Sequence, residues 1–468
     1  MVQQANLPKN RDILSRIQDQ DDLVEALRSD ADGQVLTADD AEYDEARTPY
    51  FPVRIGKPVA VVRPKHADDV AIVVDAARRM GLPLFVRSGA HHAAAHSTGD
   101  GLLIDLRSLT NIDIDVAGQT AWVETGLTAR EVAWALEPHG LAVGFGDIGS
   151  VGIGGLTLGG GIGFLSRRYG MTIDNVLAAE IVTADGRVHT IDHEHEPDLF
   201  WAIRGGGGNF GVVTKFRYRL AGVRQVYGGP LILPATPATI SRLVQVCAEA
   251  DDALTVIPTV MPAPPMPFIP AEMQGQIVIM AVVCYAGDSG QAEETLRPLR
   301  EIATPVLDMV QPMPYATLMD EETPVRGHPV AVRTRFGDHI DESIGATILE
   351  GLNRSDSWLR FVQFRVLGGA ISRIAPDATA YAHRKSPILV IVARVLEDDE
   401  LAARHWTEEL AEALYQGDDG AYVNFFGPHD GDRIEAAYPG ETLARLRRIK
   451  ATYDPMNLFR NNDNITPT

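Results

Sequence analysis

Val151-Gly-Ile-Gly-Gly-Leu-Thr-Leu-Gly-Gly-Gly-Ile-Gly163 is the stretch on which the fold turns, with seven glycines in thirteen residues. Glycine reaches positive φ without a Cβ clash and lets backbone N–H groups come close to a ligand. Successive N–H groups of this kind make a nest for anionic oxygens. A dinucleotide fingerprint would need an apolar strand before the glycines, a long helix after them and an acidic residue about 20 positions on. The preceding Gly144-Phe-Gly-Asp-Ile-Gly-Ser150 is a poor strand, and residues 164–168 leave too little room for a helix before Gly170. No Gly-Lys-Ser/Thr follows, which excludes a P-loop. The plain alternative is a set of tight turns and close packing.

Two further clusters flank this one. Ser88-Gly89-Ala90-His91-His92 lies upstream, and Arg204-Gly-Gly-Gly-Gly-Asn209 downstream. Three clusters within about 220 residues point to one large phosphate-bearing cofactor rather than to isolated turns. Between them, hydrophobic periodicity predicts strands at residues 59–62, 84–87, 102–106, 120–124, 176–183, 187–191 and 211–220. Helices are predicted at 10–28, 67–80 with Gly81 as its cap, 128–136 and 198–203. Asp185-Gly186 marks a hairpin. After Leu220 the glycine clusters stop. Strands at 276–283, 361–367 and 388–395, with helices at 293–302 and 401–414, read as a second α+β domain.

His92 and His96 have the i,i+4 spacing of a zinc clamp on a helix. The Glu of an H-E-x-x-H motif is missing, no third ligand is evident, and a turn between Gly89 and Gly99 is not expected to be helical. No metal is therefore expected. These histidines are read either as structural or as cofactor contacts, including a covalent bond from one imidazole.

Composition narrows the remaining classes. The 468 residues carry 42 basic and 63 acidic side chains, a net charge of −21. Such a surface repels nucleic acid and anionic membranes. Two cysteines, Cys247 and Cys284, build neither a disulfide framework nor a Cys-rich zinc site, and fit a reducing compartment. The first 28 residues have no apolar signal-peptide core, and no run of about 18 apolar residues exists. The expectation is a cytoplasmic protein, monomer or homodimer, with a small-molecule substrate.

Taken in order, Arg87-Ser-Gly-Ala-His91, His96-Ser-Thr-Gly-Asp-Gly-Leu-Leu-Ile-Asp-Leu106, residues 152–163, residues 204–211 and Tyr453-Asp-Pro-Met-Asn-Leu-Phe459 form a specific set. The chain resembles the berberine bridge enzyme-like flavoprotein oxidases, within the wider vanillyl-alcohol oxidase and p-cresol methylhydroxylase group. The match is strong over residues 45–225 and good over 360–468. It implies an α+β fold. An N-terminal helical segment (1–45) would precede a two-subdomain FAD-binding domain of the p-cresol methylhydroxylase type (46–225). A substrate domain with an antiparallel sheet covered by helices (226–420) and a C-terminal segment returning to the flavin domain (421–468) would follow.

The resemblance also implies the cofactor, FAD, and its contacts. The turn Arg87, Ser88, Gly89, Ala90 and His91 would wrap the pyrophosphate, with His91 bonded to the flavin 8α-methyl. Ala90 stands where glycine is usual, and His92 falls one place past the attachment point. Further implied contacts are His92, His96, Ser97, Ile148, Val151, Gly152, Gly154, Gly155, Thr157, Gly160, Gly161, Gly163, Val182 and Asn424. Some relatives add a second link from a cysteine at the position of Ile148. Isoleucine cannot form it, so a single link through His91 is expected. Val151 matches the position that controls oxygen access, and its small side chain favours an oxidase.

The implied chemistry is hydride transfer from a substrate carbon to flavin N5, with O2 reoxidising the flavin to give H2O2. Strand alternation puts Phe361, Gln363 and Arg365 on one face, over the flavin. Arg365 stands where berberine bridge enzyme has a glutamate. Arginine cannot be a base, so it is expected to bind a carboxylate or to stabilise a phenolate or enolate. A second strand is expected at 422–426. There Asn424-Phe425 replaces the Asn-Tyr of plant relatives, and Tyr422, on the same side as Asn424, becomes the candidate base if Arg365 lowers its pKa. The catalytic candidates are thus Tyr422, Arg365 and Gln363. The substrate could be an alcohol, an amine or a secondary-metabolite intermediate. Competing readings are a dehydrogenase with a non-oxygen acceptor, a non-catalytic small-molecule binder and a zinc hydrolase using His92 and His96.

Overall fold

The computed structural model describes residues 20–320, 326–397, 399–428 and 430–468. The first part of the helix expected at 10–28 lies outside these residues; the described part is a helix over Gln20–Asp30. Helices and largely antiparallel sheets make an α+β fold.

Among the described residues, three larger sheets organise the chain, beside a two-stranded one that pairs Leu141–Ala142 with Ala221–Gly222. In the first, Gln34–Leu36 pairs antiparallel with Ala60–Arg63. The latter runs parallel to Leu102–Asp105, which in turn runs parallel to Leu84–Arg87. The parallel pairing needs a crossover, and helix Ala67–Met80 supplies it. This helix buries Val70, Val73, Val74 and Ala77, and Gly81 ends it at φ 63°. The second sheet is antiparallel, in the order Ile112–Asp115, Thr120–Glu124, Val212–Arg219, Val176–Val182, Val188–Ile191. Gly186, at φ 75°, turns the last hairpin.

The third sheet has eight strands, between Val226 and Val395. Arg360–Val366 is an interior strand of this sheet, between Leu254–Pro262 and Ile388–Val395. Alternation divides its side chains cleanly. Val362, Phe364 and Val366 join Val390 and Val392 in a core covered by helices Pro237–Glu249, Glu342–Asn353 and Glu400–Ala413. Phe361, Gln363 and Arg365 lie opposite, beside Leu389 and Ile391, facing the glycine-rich segment.

Four local readings change. Residues 422–426 are not a strand: Val423–Phe425 is a 3-10 turn. Leu254–Pro262 is a central strand despite its prolines, and it pairs with Arg360–Val366 only at Thr259 and Val260, next to Pro258. Sparse pairing there accommodates a residue that cannot donate to the ladder. Val226–Pro234 and Val330–Gly337 are further strands that the sequence patterns did not isolate. Finally, the glycine-rich stretch is not all turns, since Ile153–Gly159 is a short helix.

Candidate functional site

The glycines of residues 152–163 divide by physical role. Gly152 and Gly89 touch backbone to backbone. A Cβ on Gly152 would lie 2.1 Å from the Gly89 nitrogen, and one on Gly89 2.2 Å from the Gly152 nitrogen. Here glycine is needed for close approach between the His91 turn and the glycine helix. Gly160 (φ 145°) and Gly161 (φ 80°) are needed for backbone conformation. Gly155 is exposed, and a Cβ there would meet open space.

The expected nest of free N–H groups is largely consumed within the protein. Gly154 N–H donates to Ser88 Oγ (3.3 Å), Gly160 N–H to Leu156 O (3.2 Å), Gly161 N–H to Tyr422 Oη (2.8 Å) and Gly163 N–H to Ser166 Oγ (2.8 Å). Ser88 Oγ in turn donates to Thr125 O at 2.7 Å, tying the turn to the second sheet. The Thr157 hydroxyl pairs with Tyr218 Oη at 2.8 Å, and Val182 packs in the core, so both side chains are engaged within the protein.

Unpartnered buried groups mark where a polar ligand fits. Among the described residues, Arg87 Nε and Nη2, Ser150 Oγ and the Oδ1 atoms of Asn462 and Asn464 have no hydrogen-bond partner. Arg87 Nη1 donates to Ala46 O. Burial lowers the Arg87 pKa to about 10, so the guanidinium stays charged at neutral pH. Asp105, opposite it in the sheet, supplies part of the countercharge, and the two unused donor nitrogens leave a place for a further polar oxygen. Together with the open space at Gly155, this fits a large phosphate-bearing cofactor such as FAD.

His91 lies beside this region, its imidazole stacked on Tyr50 with centroids 3.7 Å apart. Burial lowers its pKa to about 4, against a weaker raising effect of its hydrogen bond with the Ser150 backbone. The ring is therefore neutral at physiological pH and keeps a nucleophilic nitrogen. Ala90, before it, is held at φ 58°, the left-handed region that glycine enters at no steric cost.

A third partner for His92 and His96, not evident in the sequence, is Asp463. Its carboxylate accepts from His92 Nε2 and His96 Nε2, each at 3.1 Å, and these three side chains could together hold a metal ion. The hydrogen bonds argue for another role. His92 Nδ1 accepts from Ala94 N–H (3.2 Å), which puts the proton of the neutral ring on Nε2, pointing at Asp463 and Val423 O. A metal on Nε2 would need the opposite tautomer. Burial works to lower the His92 pKa, but Asp463 prevails and raises it. Burial works to raise that of Asp463, but His92 and His96 hold it well below the usual carboxylate range.

The same tail closes the other clusters. Asn461 Nδ2 donates to Leu84 O (2.9 Å), Asn462 Nδ2 to Gly208 O (3.1 Å) and Asn209 Nδ2 to Asp463 O (3.1 Å). The sequence signal for these residues was only the Asn-Asp run at 461–464.

Opposite the glycine helix stands Tyr422. Its oxygen accepts from Gly161 N–H and from Asn424 Nδ2 (2.9 Å), and Asn424 Nδ2 also donates to Leu156 O (3.1 Å). Asn424 fits because Gly159 has no Cβ; one would lie 1.9 Å from Asn424 Oδ1. The two residues are therefore neighbours through the turn rather than through strand alternation. Burial raises the Tyr422 pKa to about 12, outweighing Gly161, Asn424 and Arg365, which act to lower it. Arg365 acts on Tyr422 in the expected direction, but burial outweighs it, so the phenol keeps its proton at neutral pH.

Arg365 is buried, and Nη2 donates to Asp147 Oδ2 at 2.8 Å, while Nε and Nη1 have no partner among the described residues. Gln363 Nε2 donates to Thr259 Oγ1 at 2.9 Å. The expected face of Phe361, Gln363 and Arg365 thus exists, but Arg365 already has a carboxylate. Ile148 follows Asp147 directly and Val151 lies four residues beyond it, in the segment leading to the glycine helix.

Comparison with known proteins agrees with this arrangement. Residues 58–192 match an FAD binding domain, and residues 421–466 match a domain described as berberine and berberine like. An FAD-linked oxidoreductase of Dictyostelium discoideum is 32% identical over 426 residues, spanning 88% of this chain and 90% of the relative. The (R)-6-hydroxynicotine oxidase of Paenarthrobacter nicotinovorans is 28% identical over 454 residues, 93% and 97% of the two chains. Among solved structures, 6-hydroxy-D-nicotine oxidase from Arthrobacter nicotinovorans superposes with a TM-score of 0.84 at 26% identity, covering 94% of this chain and 98% of that one. A berberine bridge enzyme-like protein of Physcomitrella patens gives 0.83 at 21% identity, covering 95% and 99%. Among the described residues no helix is long and apolar enough to cross a membrane. With its two matched domains, its end-to-end similarity to FAD-linked oxidoreductases and a site that fits FAD, this chain is an enzyme belonging to the berberine bridge enzyme-like FAD-linked oxidoreductases.

Proposed function

We propose that this enzyme is an oxidase that takes a hydride from a small organic substrate, an alcohol, an amine or a secondary-metabolite intermediate, and passes the electrons to O2. The observation that carries this reading is the wall facing the glycine helix. Tyr422 is bonded to Gly161, and the unpartnered Arg365 Nε and Nη1 share that side with Gln363 and Phe361. Bound FAD would supply the hydride acceptor and the route to oxygen. Tyr422, protonated and buried, donates a hydrogen bond to the reacting group rather than removing its proton. Gln363 and Arg365 orient the substrate. Val151 leaves room for oxygen, and relatives named 6-hydroxynicotine oxidase and xylooligosaccharide oxidase favour the same chemistry.

His91 forms the single covalent link to the flavin in this reading. Its neutral ring would keep a free nitrogen lone pair for the 8α carbon at neutral pH, with the 8α proton released and the flavin left reduced by two electrons until O2 reoxidises it. Position 148 is isoleucine, and Cys247 and Cys284 are buried elsewhere, with thiol pKa values raised to about 12 by burial. Two measurements test the proposal. Intact mass should show one added FAD that persists after acid denaturation and is lost in His91→Ala. Substrate-reduced enzyme mixed with air should reoxidise with release of H2O2; a flavin that stays reduced in air until a quinone is added would make it a dehydrogenase.

A further inference from the structure

Arg365 and Asp147 together carry no net charge. The guanidinium is 5% exposed and the carboxylate 19%, and they are joined at 2.8 Å. Arg365 keeps two donor nitrogens, Nε and Nη1, with no partner among the described residues. Arg365 therefore keeps free donors on a cation whose charge is already neutralised.

We propose that Arg365 binds a neutral hydrogen-bond acceptor of the substrate, a carbonyl or hydroxyl oxygen, and that Asp147 selects against carboxylates. An anion entering here would bring a second negative charge against Asp147 in a site poor in water. It would lose its own hydration without gaining an unpaired cation. A neutral oxygen loses less hydration and satisfies N–H groups that are otherwise buried unpaired. The carboxylate partner expected from the sequence is thus supplied by the protein itself. Asp147 is a positioning residue: it fixes the guanidinium and sets the sign of charge that the site accepts.

This inference rests on the proposal that the Arg365 face is the substrate wall. Purified flavoprotein is titrated with benzamide and with benzoate, which share shape but differ in charge, and flavin absorbance reports binding. Benzamide should perturb the spectrum at least about tenfold more tightly than benzoate. Asp147→Asn, which keeps shape and removes the charge, should reverse that preference, and Arg365→Met should weaken both probes. Circular dichroism and bound-flavin content confirm that each variant is folded. Equal or tighter benzoate binding by the unaltered enzyme, or an unchanged preference in Asp147→Asn, overturns charge selection while leaving the wall in place. Binding of both probes unaffected by Arg365→Met, or no perturbation by either probe, overturns the wall itself and the inference with it.

Discussion

The His91 imidazole stacks on the Tyr50 ring at 3.7 Å, with 24° between their planes. That cover contributes to the burial that keeps His91 neutral down to about pH 4. Replacing Tyr50 with Ala should admit water and move the pKa back toward 6.5. At pH 5.5 the variant should then incorporate acid-stable flavin several-fold more slowly than the unaltered protein, with little difference at pH 8. Superimposable pH profiles for incorporation would separate the stack from the chemistry of His91.

Ala90 is the one residue of the Arg87–His91 turn held at positive φ, 58°. A left-handed alanine costs roughly 1–2 kcal/mol, and glycine gives back part of this through greater freedom in the unfolded chain. Ala90→Gly should therefore stabilise the protein by about 0.5–1 kcal/mol in denaturant unfolding. Destabilisation would mean that the alanine methyl makes contacts worth more than the strain.

Gly152, which caps the short glycine helix, and Gly155, within it, make a matched pair. A methyl on Gly152 collides with the Gly89 backbone, whereas one on Gly155 reaches open space. Gly152→Ala should lower stability by roughly 1–3 kcal/mol through overpacking. Gly155→Leu should fold normally and yet purify with little FAD. Full flavin content in Gly155→Leu would show that the cofactor does not pass over this position.

Asp463 ties two imidazoles and should impose a pH signature on stability. Its folded pKa is depressed, so its contribution is present above its unfolded value of about 3.9 and fades as pH falls through the folded value. His92 is raised, so its contribution is complete below about 6.5 and fades as pH rises through the folded value. The advantage over Asp463→Asn should consequently be greatest between about pH 4 and 6.5. Melting temperatures of the two proteins across pH 3–9 provide the check, and parallel curves would deny the coupling.

Tyr422 should act with its proton in place. Tyr422→Phe is expected to slow anaerobic flavin reduction by about tenfold or more, in line with the loss of one positioned donor. In the unaltered enzyme the reduction rate should show no tyrosine ionisation between pH 6 and 9, because the phenol titrates near 12. A rate that climbs through this range and flattens in Tyr422→Phe would restore the phenolate base.

The sequence was most legible where one local rule decided the outcome. Helix Ala67–Met80 followed from its apolar stripe and Gly81, and the face of Phe361, Gln363 and Arg365 from alternation alone. It was least legible where a distant partner decided. Pro258 hides a central strand whose neighbours lie more than 20 and 100 residues further on. Tyr422 meets Asn424 through a 3-10 turn stabilised by contact with the glycine helix, which no period reveals. Asp463 is 367 residues from His96, and Asp147 is 218 from Arg365, so neither partner is visible in a local window. The sign of the Tyr422 shift was missed for a related reason, since burial depends on the whole fold and outweighed one favourable charge.

Asn461 reaches Leu84 across 377 positions of chain, and Asn462 reaches Gly208 across 254. During synthesis the His91 turn and the glycine clusters emerge long before the segment that clasps them together. The flavin site therefore has an order of assembly written into it. The cleft gains this wall only when residues 461–463 have been made and have folded back, and variants lacking that clasp should purify without yellow colour.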